Sequence, residues 1–490
     1  MKKKFFKVTA FLLAVAISLT ASWFVLDFKY VDSIFKVKMF YEQEDNTVDV
    51  LVLGSSHIYQ GINTAVLWEE YGYAAYDLCG AAQPIWNTYY YLEEALKTQT
   101  PKVIILDTYT LHYSDEFGDT SYAIKNTYGL KWSQTKIDAI KASFNTEETG
   151  NQYFFEVLQY HSRYSDLNKA DFYPYQANKA MYENHKGFYC YFRSEAVADK
   201  DFSSVTYYNE MIPKVEEYYR KIIELAQSEN IPLILTAVPF AAENYHQGFF
   251  NTAKAIADEY GVPFYNFLTD YKEALGLDYS TDFADSQHLN YLGNTKLTRF
   301  FGDVLKENYD IPDRRGDEKY SSWDADALVY DKQRENAEVK SIAGIFDYAD
   351  VFENDRYVIV MTESIDNFDM LTLGVHKVAS GFFNMLDIDE SEYKAGGMWV
   401  YRNGDMEYYK ACEGENFTKT VKLSRFDTAC VKTETRFLDE EETIITNTIH
   451  VNKNDVTKAD KGINIYVYDT FTMSTVDTVC YNYTNGKFTR

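Results

Sequence analysis

Two short segments, far apart in the chain, carry the residue types that serine-based acyl transfer requires. The first is Leu-Val-Leu-Gly-Ser-Ser-His at 51–57, and the second is Asp-Ser-Gln-His-Leu-Asn at 285–290. Ser56 is a candidate nucleophile, His288 a base able to take its proton, and Asp285 a carboxylate able to orient that base. On a turn, residues three apart can face the same way. The carboxylate then holds one imidazole nitrogen while the other stays free for a hydroxyl. Each segment alone also has a plainer reading, as serine hydroxyls capping a helix and as an Asp cap beside a half-exposed histidine.

The elements around these segments decide whether they meet. Apolar strands are expected at 48–53, 74–78, 102–107, 231–239 and 261–267, and helices at 64–71, 84–96, 207–229, 245–260 and 292–305. Strands alternating with helices imply an α/β domain with a parallel sheet covered on both faces. Sites in such sheets form at the carboxyl ends of the strands, and Ser56 follows the first strand directly. Residues 112–205 break the rhythm and read as an insertion. The charged, unpatterned stretch at 312–319 makes 309–340 read as a linker. From 341 to 490 the pattern is β-rich, with strands at 357–362, 398–401, 443–451 and 463–468 and turn signals such as Gly396-Gly397, and implies a second domain of sandwich type.

The amino terminus is basic through Lys7 and is followed by an uncharged apolar run over 8–26. That run is long enough to cross a bilayer, and the preceding lysines put the short end in the cytoplasm. Residues 1–27 are therefore expected to be a cytoplasmic stub and uncleaved signal anchor, with the bulk of the chain extracytoplasmic. A net charge of −26, from 48 basic and 74 acidic residues, argues against a nucleic-acid partner. The five cysteines are scattered and the histidines dispersed, so neither a zinc site nor another metal is expected, and no cofactor is implied. Cys412 with Cys430 is a candidate disulfide; buried free thiols are the alternative. The 44 tyrosines suit stacking on sugars, and equally suit cores and interfaces.

A serine after the first strand and an Asp-x-x-His before the last helix, within an α/β domain, resemble the SGNH (GDSL-like) hydrolase family. The likeness is to its membrane-anchored branch, which includes alginate O-acetyltransferases and the teichoic-acid D-alanylation protein. It covers residues 45–308. The resemblance implies a flavodoxin-like three-layer fold, with Ser56 as nucleophile two residues after Gly54, and Ser55 where many members have Asp. It implies His288 as base and Asp285 as its orienter. It makes Gly80, in Tyr-Asp-Leu-Cys-Gly at 76–80, an oxyanion donor through its N–H, with the Ser56 amide as another. The family's Asn after the third strand has no counterpart here, and Thr108 and Tyr109 are the candidate substitutes. His57 is placed as a pocket-lining residue. Arg163, in the insertion, reads first as a helix-surface salt bridge, with the holding of an anionic or polar substrate group as its alternative. Asp107 and Asn87 are further candidate substrate contacts.

The expected function is that of a membrane-anchored extracytoplasmic serine acyl-transfer enzyme, an O-acetyltransferase or acetylesterase. Its substrate would be a cell-envelope or secreted polysaccharide, met as an acylated glycan or acyl donor. The resemblance implies a membrane-bound O-acyltransferase as partner. The alternative is a non-catalytic surface protein that binds glycan or protein through a degenerate domain of this kind.

Overall fold

The computed structural model describes residues 2–29, 31–174, 186–366, 368, 371–394, 396–412, 415–437 and 443–490. The chain divides into two units, Met1–Tyr330 and Asp331–Arg490. At the centre of the first lie five parallel strands: β1 (Val50–Leu53), β2 (Ala75–Asp77), β3 (Val103–Asp107), β4 (Leu233–Ala237) and β5 (Phe264–Asn266), in the order β2-β1-β3-β4-β5. Every residue of β1 and β3 is buried, because helices cover both faces. Leu51, Leu53, Ile104 and Leu106 pack against Leu92 of helix Ile85–Ala95 and Ile222 of helix Pro213–Ser228. Val50, Val52, Val103 and Ile105 pack on the other face with Leu297, Phe301 and Leu305 of helix Tyr291–Asn308. The order reverses between β1 and β3, so a crevice opens at their carboxyl ends. Ser56 follows one of these strands and Thr108 the other.

The helix expected over 207–229 begins only at Pro213. Proline is at home in a first turn, where its missing N–H has no partner to lose, and it keeps the preceding Ile212 extended at ψ 147°. The expected helix at 64–71 is an α-turn, Thr64–Val66, running into a π-turn, Leu67–Tyr71, stopped at Gly72. The insertion is a group of short helices between residues 109 and 172 followed by an extended stretch from Lys186; its residues 175–185 lie outside the described residues. The extended stretch meets edge strand β2 once, where Lys186 O accepts the Asp77 N–H (2.7 Å), and is then sewn to the elements around the site. The N–H of Tyr189 donates to Tyr59 O (3.0 Å), that of Glu195 to Phe283 O (2.8 Å), and Tyr191 O accepts from Tyr291 (2.9 Å).

The stretch that reads as a linker contains a helix, Ser321–Val339. Trp323, Ala327 and Tyr330 recur at helical spacing and are buried in the core of the first unit. The acidic residues between them hide that stripe from a search for charge-free patterns. Trp323 also donates its Nε1–H to Ala75 O of β2 at 3.0 Å.

In the second unit, an antiparallel six-stranded sheet and a four-stranded one share a core. Val358, Val360, Met398 and Val400 come from the larger sheet, and Val431 and Ile449 from the smaller. A helix not anticipated from the sequence, Leu373–Met385, covers the other face of the larger sheet through Ala379, Phe382 and Phe383. All five cysteines are free, Cys412 and Cys430 included.

The Trp323 anchor is testable. Trp323→Ala is expected to destabilise the first unit by about 3–5 kcal/mol through the cavity it leaves, with Trp323→Phe losing less. Urea unfolding followed by near-ultraviolet circular dichroism checks both; equal loss in the two variants would contradict the cavity account.

Candidate active site

Ser56 opens a short helical turn, Ser56–Tyr59, directly after β1. Gly54 permits the bend: its φ is 142°, and a β-carbon there would lie 2.9 Å from both Asp107 Cβ and Ile58 Cγ2. The bend leaves Ser56 partly exposed and turns Ser55 inward. Opposite, β6 (Phe283–Asp285) and β7 (His288–Leu289) form a tight antiparallel pair that sets Asp285 against His288.

The three side chains form one hydrogen-bonded chain. His288 Nε2 lies 3.0 Å from Ser56 Oγ, and His288 Nδ1 lies 2.9 Å from Asp285 Oδ1. Asp285 Oδ1 also accepts the Gln287 N–H at 2.9 Å. Arg193, from the extended part of the insertion, donates Nη2–H to Asp285 Oδ2 (2.8 Å) and Nε–H to Ala284 O (3.0 Å). Asn290 fastens the loop. Its amide donates to Thr281 O (2.6 Å) and Ser194 Oγ (2.9 Å), while its carbonyl oxygen caps Leu292 and Gly293 at the start of helix Tyr291–Asn308.

The electrostatics suit a neutral base beside a charged carboxylate. Burial pushes the Asp285 carboxyl up, but the Gln287 amide, His288 and Arg193 outweigh it and hold the group below the usual carboxylate range. Burial lowers His288, Asp285 opposes that, and Arg193 adds to it; the net position is below the usual imidazole value. Near neutral pH the imidazole is therefore free to accept a proton, and the carboxylate fixes which nitrogen faces Ser56.

The other candidates divide. His57 is buried, stacked on Tyr109 with ring centroids 3.5 Å apart, and 5.5 Å from the His288 ring. Burial drives it well below its usual pKa, so it forms a neutral wall of the site. Tyr109 joins the site through that ring and through its hydroxyl, which donates to Gln287 Oε1 at 3.2 Å. Gly80 lies in the loop after β2, beside the end of β1, where a β-carbon would fall 1.9 Å from Asn126 Oδ1. Among the described residues, neither the Ser56 nor the Gly80 N–H donates a backbone hydrogen bond.

Thr108 does not replace the absent asparagine: its N–H and its hydroxyl both donate to Thr236 O at 2.8 Å, so β4 has consumed both donors. Asn126 does not replace it either, since its amide is held by Ala81 O and Tyr122 O. Arg163 is not a substrate contact of this site. Its Nη1–H donates to Leu26 O (2.7 Å) and Asp27 O (2.6 Å), capping helix Lys2–Leu26, whose last carbonyls lack partners of their own. Asn87 is tied to Ser143 Oγ at 2.9 Å, and Asp107 is buried beneath Gly54, its carboxyl pushed up to about 7 by burial against the pull of neighbouring backbone N–H groups.

Sequence reading missed Arg193, which lies in an aromatic run with no periodic signal, and missed the role of Gln287 and Asn290 inside the quoted motif. Among the described residues, no group of three or more His, Cys, Asp or Glu side chains is arranged to hold a metal ion. The first unit is thus an α/β protein with a Ser-His-Asp chain at its strand-order switch. No family model matches this chain, and no curated protein matches it.

Arg193 gives a pH-dependent expectation. Its guanidinium lowers His288, so Arg193→Met raises the pKa of the base. The acid limb of fluorophosphonate labelling at Ser56 is expected to move to higher pH. A limb that stays in place would show that Arg193 does not act on His288.

Proposed function

We propose that this protein is a serine acyl-transfer enzyme of the SGNH-like kind. One observation carries the reading: Ser56 Oγ, His288 Nε2, His288 Nδ1 and Asp285 Oδ1 stand in a continuous chain of 3.0 and 2.9 Å contacts. The strand order and the switch-point location support it, as does the resemblance of the two motifs to that family.

In this reading Ser56 Oγ attacks the carbonyl carbon of an O-acyl ester while its proton passes to His288 Nε2. The oxyanion is met by the backbone N–H groups of Ser56 and Gly80. Collapse breaks the ester C–O bond, His288 returns the proton to the departing alkoxide, and the acyl group stays on Ser56. A carbohydrate hydroxyl or water then attacks that acyl-serine, giving its proton to His288, and releases Ser56. The acyl group is proposed to be acetyl and the acceptor a cell-envelope or secreted polysaccharide. A membrane-bound O-acyltransferase is the donor partner that the resemblance implies.

Among the described residues, one helix, Lys4–Leu26, is long and apolar enough to cross a membrane, with mean hydropathy 2.1 and none of its apolar window buried in the protein. We read it as a single-pass anchor. The lysines before it argue for a cytoplasmic amino terminus and an extracytoplasmic catalytic unit.

A non-catalytic binding protein is the second reading. It is favoured by the absent asparagine and by the engagement of both Thr108 donors with Thr236. A fluorophosphonate probe separates the two. Labelling of Ser56 that is lost in His288→Ala supports the enzyme; absence of labelling under all conditions supports the binding protein. On an acetylated glycan or aryl acetate, Ser56→Ala is expected to lower acetate release by roughly 10⁴-fold or more. Release at the parent rate would end the catalytic reading.

A further inference from the structure

The apolar amino-terminal helix does not leave the first unit as a free tail, because its last turn is built into it. Arg163 holds the Leu26 and Asp27 carbonyls and is itself held by Asp171 at 2.6 Å. Phe28 meets Tyr160 edge to face, with ring centroids 6.0 Å apart, and tilts against Tyr128 at 6.3 Å. These contacts fix the short helices between residues 157 and 172 at the level where the apolar helix ends. If residues 4–26 cross a bilayer, that level is the headgroup layer.

The surface around this exit is unusual for a face in water. A cleft of about 710 Å³ opens between Trp23 on the helix and Trp132, Phe155, Val157 and Tyr160 on the unit. Trp132, Phe155, Val157, Leu158 and Tyr164 each keep at least half of their surface exposed. Contiguous apolar exposure of this kind marks a surface that something covers. Rings with a polar handle favour the boundary between acyl chains and headgroups. The charges lining the cleft balance: Lys38 pairs with Asp27 (3.0 Å) and Lys136 with Glu156 (2.5 Å), Lys131 and Glu42 add one of each sign, and nearby Arg163 pairs with Asp171 (2.6 Å). The surface therefore offers apolar area rather than a field for anionic lipid. Because Trp23 of the apolar helix lines the cleft, the surface is continuous with whatever surrounds that helix.

We propose that this exit surface seats in the headgroup–acyl boundary of the bilayer, and that the cleft between Trp23 and Trp132 takes an acyl chain of a zwitterionic phospholipid. The inference rests on reading residues 4–26 as a membrane span, and the two fail separately. The test uses the full chain in phosphatidylcholine vesicles whose acyl chains carry bromine close to the headgroup. Trp68, Trp86, Trp323 and Trp399 are buried in protein, so Trp23 and Trp132 are the tryptophans within reach of lipid. In Trp132→Phe, quenching of Trp23 reports insertion of the helix. In Trp23→Phe, quenching of Trp132, measured against the double variant, reports the seat.

Loss of emission from both tryptophans is expected, and Phe155→Glu with Leu158→Glu should relieve the quenching of Trp132 several-fold while leaving that of Trp23 intact. Trp23 quenched with Trp132 untouched would overturn the seat and leave the span standing, with a protein partner as the cover of these rings. Neither tryptophan quenched would overturn both.

Discussion

The contact between Ser56 Oγ and His288 Nε2 joins segments 232 residues apart. A hydrogen bond worth about 1 kcal/mol cannot order that much chain. The burial of β1 between β2 and β3 does so, because all of its residues are out of water and its carboxyl end can only point into the crevice. Helix Tyr291–Asn308 is then clamped beside the nucleophile turn. The N–H of Asn63, a few residues after Ser56, donates to Thr298 Oγ1 at 2.8 Å, and its side chain caps Ala65 and Val66. Asn290 does the equivalent work at the start of that helix. Two buried asparagines thus brace the site: Asn63 ties the nucleophile turn to helix Tyr291–Asn308, and Asn290 ties that helix to the insertion and the Asp285 loop, where an unpaired amide would be costly.

The insertion belongs to this construction. Its extended stretch is held by backbone hydrogen bonds to Tyr59, Phe283 and Tyr291 around the site and delivers Arg193 to Asp285. Arg193 and His288 draw on the same carboxylate from opposite oxygens. That helps keep Asp285 charged and fixed, while burial, with a smaller push from Arg193, holds the imidazole neutral. A residue outside both motifs thus adds to an electrostatic balance that burial dominates.

The segment that leaves the apolar helix also reaches the site's periphery. Ala81 N–H donates to Ser33 Oγ (3.0 Å) and to Asp32 O (3.2 Å), immediately after Gly80. The loop that carries one oxyanion donor of the proposed mechanism is thus held by residues just past the helix, and Asn126 supports it from the insertion. Helix exit, insertion and loop form a connected body in which backbone groups are paired rather than left to solvent.

The local sequence was enough for the parallel sheet, the apolar helix and the three residues of the Ser-His-Asp chain. Each is encoded by short-range pattern: continuous apolar runs for buried strands, Gly54 at a bend that needs positive φ, and a three-residue spacing between Asp285 and His288. It misread 309–340, where the stripe of Trp323, Ala327 and Tyr330 lies under acidic residues, and the helix Leu373–Met385 went unnoticed in a β-rich stretch. It left Arg163 between a salt bridge and the substrate, of which the structure shows the salt bridge with Asp171, and it left Arg193 out. Those assignments depend on which distant carbonyl or carboxylate a long side chain meets, and a cation's partner has no periodicity to read. The same holds for Thr108, whose hydroxyl looked available until β4 brought Thr236 O within 2.8 Å. Pattern along the chain determines what each segment can bury; only the packed fold decides which polar groups remain free, because that depends on neighbours hundreds of residues away.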